Sequence, residues 1–186
     1  MRNPLRRPGL VLPLAAAIII GLCIYKTNQK HTRPTFIPTS RHPLPLNLHF
    51  ELNDHSAARV RLARYLGRHE IVLVFFDTSS EKADGVLPFL KDRYSEFRNR
   101  GITLIGITAS KPQDADDYPF EILTEMDLTT RSLSTVRRDY GLFDEATGEP
   151  QNGVFYIDRA SRIAWEKDRP QPLPEPIAFL RQLIGQ

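Results

Sequence analysis

The side chains best suited to chemistry cluster behind one apolar run. Thr78, Ser79, Ser80, Glu81, Lys82 and Asp84 follow Ile71–Phe76 almost without interruption. Short hydroxyls and carboxylates of this kind cap a helix and suit the positive end of its dipole. Taken alone, they describe a well-capped helix start; taken functionally, they edge a groove that holds an extended peptide. A hydrolase triad of Ser80, His55 and an aspartate would need a glycine-flanked nucleophile turn, and the sequence has none, so these read as polar loop residues. Asp114, Asp116 and Asp117 form an acidic cluster, and Asp144, Glu145 and Glu149 a second. Calcium needs more oxygens in a defined loop with a turn glycine, so both read as solvated loops. His31, His42, His49 and His69 lack metal-ligand spacing, and no glycine-rich phosphate loop is present.

Thiol chemistry is limited by number. The 186 residues contain one cysteine, Cys23. One thiol excludes an intramolecular disulfide, a paired redox motif and a zinc site built on paired thiolates.

Charge is divided unevenly. Residues 1–50 carry seven Lys/Arg and no acid, while residues 51–186 carry 18 Lys/Arg against 22 Asp/Glu, a net of −4. The basic pI therefore belongs to the N-terminal segment. A weakly acidic domain lacks the basic face that nucleic-acid binding needs, and no nucleic-acid partner is expected.

That N-terminal segment reads as a membrane anchor. A basic tail, residues 1–7, precedes an uncharged apolar stretch, residues 8–25. As a helix its 18 residues between Arg7 and Lys26 would reach about 27 Å, enough for a bilayer core. A cleaved signal peptide shares this pattern, but no small-x-small site follows the stretch, which ends Leu22, Cys23, Ile24, Tyr25. An uncleaved single-pass anchor is the preferred reading, with the domain on the extracytoplasmic side. Residues 26–45 contain Pro34, Pro38, Pro43 and Pro45 and read as an extended tether.

The remaining residues, 46–186, must position whatever chemistry exists. Leu48, Phe50 and Leu52 alternate with polar residues, as do Val60 and Leu62 after a polar turn at 53–58; both predict half-buried strands. Ile71–Phe76 and Ile102–Thr108 are continuous apolar runs, the pattern of strands covered on both faces. Between them, Leu87, Leu90, Tyr94 and Phe97 recur at helical spacing, and Gly101 ends that helix. Ile122 and Leu123 suggest a short strand, 132–140 a helix stopped by Gly141, 154–157 and 163–165 a hairpin pair, and 176–184 a closing helix with proline at its start. The order implies an α/β domain, a mixed sheet with helices on both faces.

The run from Ile71 through Asp77, Ser80 and Ala83 to Pro88 resembles the active-site strand and helix of the thioredoxin-like superfamily. It is most similar to membrane-anchored thiol-disulfide oxidoreductases of cytochrome c maturation and to the alkyl hydroperoxide reductase/thiol-specific antioxidant family. Those proteins read strand, aromatic pair, three residues, Cys-x-x-Cys, then a helical proline. Phe50–Leu52 with Val60–Leu66 resembles the family's entry hairpin, and Tyr140–Gly148 with Val154–Ile163 its late strands. The likeness spans residues 47–186 and implies a thioredoxin-like fold.

It also implies a site that has lost its reagents. Aligned on Phe75, Phe76 and Pro88, the two cysteine positions fall on Ser80 and Ala83. A serine hydroxyl is far less acidic than a thiol and forms no disulfide. The cis-proline of the oxidoreductases, or the arginine of the peroxiredoxins, falls on Asn152, followed by Gly153. Cys23 lies in the apolar span, where ionisation is disfavoured. The expectation is therefore a redox-inactive, membrane-tethered module that binds an unknown protein or peptide, with no metal or other cofactor. Its binding candidates are Thr78, Ser79, Ser80, Glu81, Lys82, Asn152 and Gly153. The alternative is a peroxiredoxin or thiol-disulfide oxidoreductase that uses a thiol supplied by another chain.

Overall fold

The structure, a computed structural model, describes residues 40–77, 85–109, 115–126, 134–144, 146–166 and 168–186. The chain divides into two units, residues 1–37 and 38–186. The expected basic tail and membrane span lie outside the described residues. Among the described residues no helix is long and apolar enough to cross a membrane.

The second unit is built around the two apolar runs. Strand β4 (Glu70–Phe76) pairs in parallel with β5 (Ile102–Thr108) over their whole length, Glu70 opposite Ile102 and Phe76 opposite Thr108. Parallel pairing requires a crossover. Helices α1 (Val86–Asp92) and α2 (Tyr94–Asn99) supply it. Strand β6 (Glu121–Thr124) extends the parallel set from β5. On the other side β7 (Gly153–Ile157) runs antiparallel to β4 and turns into β8 (Arg162–Glu166). The edges are β1 (Arg41–Pro43) beside β8 and the hairpin β2 (Glu51–Asp54) with β3 (Arg59–Arg61) beside β6. The order is β1-β8-β7-β4-β5-β6-β2-β3, with β9 (Arg169–Pro170) attached to β8. Helices α3 (Val136–Asp139) and α4 (Pro176–Leu183) complete the described elements.

Alternation along β4 sends side chains to two cores. Ile71, Leu73 and Phe75 enter one cluster with Leu48, Leu62, Tyr140 and Phe155. Val72, Val74 and Phe76 enter the other with Leu87, Leu90, Phe97 and Leu180. Both faces of the central strands are thus covered, by α1, α2 and α4 on one side and by α3 with the 46–66 segment on the other. The mixed sheet with helices on both faces is the architecture that the sequence pattern implied.

Three details differ from expectation. The tether does not extend to residue 45: Arg41–Pro43 form β1, with His42 opposite Ile163. A strand end at a sheet edge tolerates proline, because the missing N–H is not needed by an outer neighbour. The helix expected through Leu87, Leu90, Tyr94 and Phe97 up to Gly101 is two helices, broken at Arg93 (φ −108°, ψ 12°). There the Glu96 N–H bonds back only three residues, to the Arg93 carbonyl at 2.9 Å, while Arg93 Nη1 holds Glu96 Oε1 at 2.8 Å. Residues Leu46–Leu48 form a 3₁₀ turn rather than the start of a strand. Gly101 (φ 72°) and Gly141 (φ 71°) end helical turns in the left-handed region, which glycine reaches without strain.

One edge contact gives the domain an alkaline limit. Tyr65 donates its hydroxyl to Glu121 Oε2 at 2.6 Å. Burial, and then that bond, push the Tyr65 phenol up to about 12. The fold therefore favours the protonated phenol. Its contribution is fully present below the ordinary tyrosine value and is lost as pH rises through about 12. The expected result is that wild type exceeds Tyr65→Phe in urea midpoint at pH 8, and that the gap closes towards pH 12. A gap that does not change with pH would contradict this.

Candidate functional site

The site forms where β4 ends and β7 begins. Phe75 lies opposite Gly153, so Asn152 sits beside the last residues of β4. The Asn152 side chain closes the gap between the two strand ends: its Oδ1 accepts the Asp77 N–H at 3.0 Å. Gly153 sits close to its neighbour: a Cβ built there would come within 2.7 Å of Leu142 Cδ2, so any larger residue would displace that side chain. Thr78, Ser79, Ser80, Glu81, Lys82 and Ala83 lie outside the described residues. The chain resumes at Gly85 (φ 63°), whose carbonyl accepts the Phe89 N–H as α1 begins. Of the expected site residues, then, Asn152 and Gly153 are seen together at this end of the sheet.

A residue that sequence reasoning passed over holds the same end. Arg137 on α3 is buried, its side chain 4% exposed, and pairs with Glu125, 2% exposed, at 2.8 Å. Glu125 Oε1 also accepts the Arg137 backbone N–H at 2.9 Å. The rest of the guanidinium reaches the strand ends: Nη1 donates to the Gln151 carbonyl at 2.8 Å and Nη2 to the Phe76 carbonyl at 3.1 Å. One cation thus ties together the ends of β4 and β6 and the entry to β7. Its plane also lies 5.7 Å from the Phe75 ring centre. In the sequence, Arg137 falls within the expected 132–140 helix and has no assigned role.

Two cavities share this floor. One, of about 280 Å³, is apolar and lined by Phe76, Val86, Leu87, Val154 and Leu173. The other, of about 770 Å³, is more polar and lined by Arg138, Phe143, Gln151 and Arg169. Asn152 and Pro172 line both. The arrangement is a groove with an apolar end and a polar end, where Arg138 and Arg169 stand beside Asp139 and Asp144. Among the described residues, no three His, Cys, Asp or Glu side chains gather as metal ligands do.

Comparison with known proteins places this architecture. Residues 45–166, about two thirds of the chain, match the model of the AhpC/TSA family. The chain belongs to the AhpC/TSA family. Among curated proteins it is 29% identical over 121 residues to alkyl hydroperoxide reductase E of Mycobacterium tuberculosis, covering 61% of this chain and 76% of that one. It is 30% identical over 86 residues to a peroxiredoxin of Thermoplasma volcanium, covering 40% of this chain and 39% of that one. Among solved structures it is similar to peroxidoxin BcpB of M. tuberculosis, at TM-score 0.56 and 17% identity, covering 77% of this chain and 93% of that one. A thiol:disulfide interchange protein DsbE from Chlorobium tepidum follows at TM-score 0.50 and 16% identity, covering 73% and 90%. The thioredoxin-like fold is therefore shown for this chain.

Within the AhpC/TSA family, this chain carries no cysteine after Cys23. The histidines and acidic clusters expected to be surface or loop residues are dispersed in the structure. His55 pairs with Asp116 at 3.2 Å, at the tip of the β2–β3 hairpin. That hairpin belongs to the far edge of the sheet from β7. His42 packs on Trp165 with ring centres 6.0 Å apart, and His69 on Tyr65 at 6.4 Å. Asp116 and Asp117 lie in a 3₁₀ turn (Ala115–Asp117), while Asp114 and Glu145 fall outside the described residues. Asp144 is held below the usual carboxylate range by the N–H groups of Ala146 and Thr147, so its oxygens serve a turn.

Proposed function

We propose that this AhpC/TSA-family chain is a redox-inactive, membrane-tethered module. Its groove at the ends of β4 and β7 binds a segment of a partner protein. One observation carries the reading: a peroxiredoxin-like fold in which residues 24–186 contain no thiol, the nucleophile that the family's chemistry needs. The groove beside Asn152 supports binding as the remaining use of this end of the sheet. The apolar span at residues 8–25 supports attachment to a membrane; Arg2, Arg6 and Arg7 before it balance Lys26, Lys30 and Arg33 after it, and the free amino terminus tips that count towards an extracytoplasmic domain.

Family membership favours a second reading. A peroxiredoxin or thiol-disulfide oxidoreductase could act with a thiol from another chain, and Cys23 is the thiol this chain could contribute. The Cys23→Ser variant separates the first reading from a Cys23-dependent form of the second, because binding survives that change and a Cys23-dependent activity does not.

The test of the first reading is a photo-reactive residue placed at Pro172, on the wall shared by both cavities, in full-length protein in its own membrane. A crosslink to one polypeptide is expected from position 172 and not from Leu46, an exposed side chain outside both cavities. Identical labelling from both positions would overturn the reading. Protease accessibility in intact cells tests the orientation.

A further inference from the structure

Resting on the membrane-tethered reading, we propose that the end of the sheet opposite the groove docks on an anionic lipid surface. Strands β4 and β5 begin at this end and β7 finishes there, with Glu70 opposite Ile102 and Ile71 opposite Ile157. The segments that enter and leave these strands bring four exposed arginines together. Arg68 precedes β4, Arg98 and Arg100 close α2 before β5, and Arg159 follows β7.

Contacts across the strand ends show that these residues share one surface. Arg98 and His69 line a cavity of about 280 Å³ with Gly101 and Ile102. A Cβ built on Gly101 would lie 3.8 Å from Arg159 Nη2. Arg100 Nη1 donates to the Leu183 carbonyl at 3.0 Å, which holds its guanidinium at the same end. None of the four pairs with a carboxylate among the described residues.

The carboxylates here keep their charge but are too few to cancel the arginines. Asp158 Oδ2 lies between Arg41 at 3.4 Å and Arg162 at 2.9 Å, so that group is itself cationic. Glu70 is hydrogen-bonded to the Tyr156 hydroxyl. Glu70, Asp158 and the terminal carboxylate of Gln186 thus stand against Arg41, Arg68, Arg98, Arg100, Arg159 and Arg162, a surplus of three positive charges. Arg93 with Glu96, and Arg64 with Glu121 around Tyr65, add nothing net. The groove end has the opposite sign. Among the described residues, Asp77, Asp139, Asp144, Glu149, Glu166 and Glu175 outnumber Arg138 and Arg169, while Arg137 and Glu125 cancel. The average charge of the domain hides this polarity.

A lipid surface fits the cationic end for two reasons. Guanidinium groups bind phosphate oxygens in pairs, and a bilayer presents phosphates in one plane that several arginines reach at once. In the tethered protein, residues 26–39 extend at most about 50 Å, which keeps the domain near a bilayer and lets weak contacts add. A soluble acidic partner has no such enforced proximity. The same surface repels the acidic end, so both ends favour one orientation, with the arginines on lipid and the groove turned to the aqueous side.

The test uses full-length protein in vesicles, carrying Cys23→Ser and one new cysteine labelled with bimane. Ala160→Cys places the label beside Arg159, and Ala146→Cys places it beside the groove; both sites are exposed. The vesicles contain phosphatidylcholine with a nitroxide headgroup as quencher, with or without phosphatidylglycerol. Quenching at position 160 is expected to be about twofold stronger with phosphatidylglycerol, and to lose that gain in about 1 M salt. Arg68→Gln with Arg98→Gln and Arg159→Gln removes the gain as well. These arginines are exposed, so an unchanged melting curve confirms that the variant is folded. Position 146 shows no gain. A gain at 146, or a gain at 160 that survives the triple variant, overturns the inference. No gain at 160 also overturns it and assigns the arginines to an acidic soluble partner instead. None of these results touches the tethered reading, which fails if the protein does not float with phosphatidylcholine vesicles in alkaline carbonate.

Discussion

Arg137→Met is expected to lower unfolding stability by about 3–5 kcal/mol, read as a fall in the urea midpoint. The substitution keeps most of the stem's volume but leaves the Glu125 carboxylate, 2% exposed, without a counter-charge. It also takes a donor from the Gln151 carbonyl and from the Phe76 carbonyl. An unsatisfied buried charge and a buried acceptor that loses its donor, the Phe76 carbonyl, are the costly outcome of breaking such a network. Pairing the change with Glu125→Leu should recover part of the loss, because the orphaned charge disappears with its partner. It should not recover all of it, because the Phe76 carbonyl still lacks its donor and the Arg137 N–H loses Glu125 Oε1 as well. A loss under about 1 kcal/mol in the single variant would mean that water reaches the pair and that it does not hold the strand ends.

Phe75→Ala should cost a comparable amount, about 3–5 kcal/mol. Phe75 is 1% exposed near the end of β4. Its ring lies 5.0 Å from that of Tyr140 and 5.7 Å from that of Phe155, and those two are 5.1 Å apart. Tyr140 in turn donates its hydroxyl to the Leu48 carbonyl at 3.1 Å, and burial raises its phenol well above the ordinary value. Removing one ring of three therefore leaves a cavity whose walls are fixed by the other two. It loosens α3, the 46–48 turn and β7 together. Leu46→Ala, at a side chain 83% exposed, is the matched control and should change stability by less than about 0.5 kcal/mol. Unfolding in urea, followed by tryptophan fluorescence from Trp165, compares the two. Equal, small effects would contradict the three-ring packing.

The sequence disclosed what repetition and composition can disclose. Ile71–Phe76 was readable as a doubly covered strand because no polar residue interrupts it, and both of its faces are indeed filled. Gly101 and Gly141 marked helix ends because a left-handed residue there needs no Cβ. Strand β1 was illegible: Arg41, His42 and Pro43 have neither alternation nor strand propensity, and only β8 makes them a strand. The break at Arg93 was illegible for a similar reason, since the apolar spacing from Leu87 to Phe97 continues across it.

The candidate site was half legible. Asn152 was found as a departure from the residues that the family places there, which says what it is not. Its role as acceptor for the Asp77 N–H needed the β4–β7 register. Arg137 and Glu125 carried no local signal. They lie twelve positions apart, with no motif around either, and charged residues are usually solvated. Only the meeting of α3 with the end of β6 buries them. Arg138, its neighbour on the same helix, faces the groove instead.

The central claim is that an AhpC/TSA domain is present here while its thiol chemistry is not. Peroxide consumption by the full-length protein, with dithiothreitol as reductant and hydrogen peroxide or cumene hydroperoxide as oxidant, tests it most directly. The expected rate equals that of reductant and detergent alone, and is the same for the Cys23→Ser variant. A rate that rises in proportion to protein concentration would contradict the account.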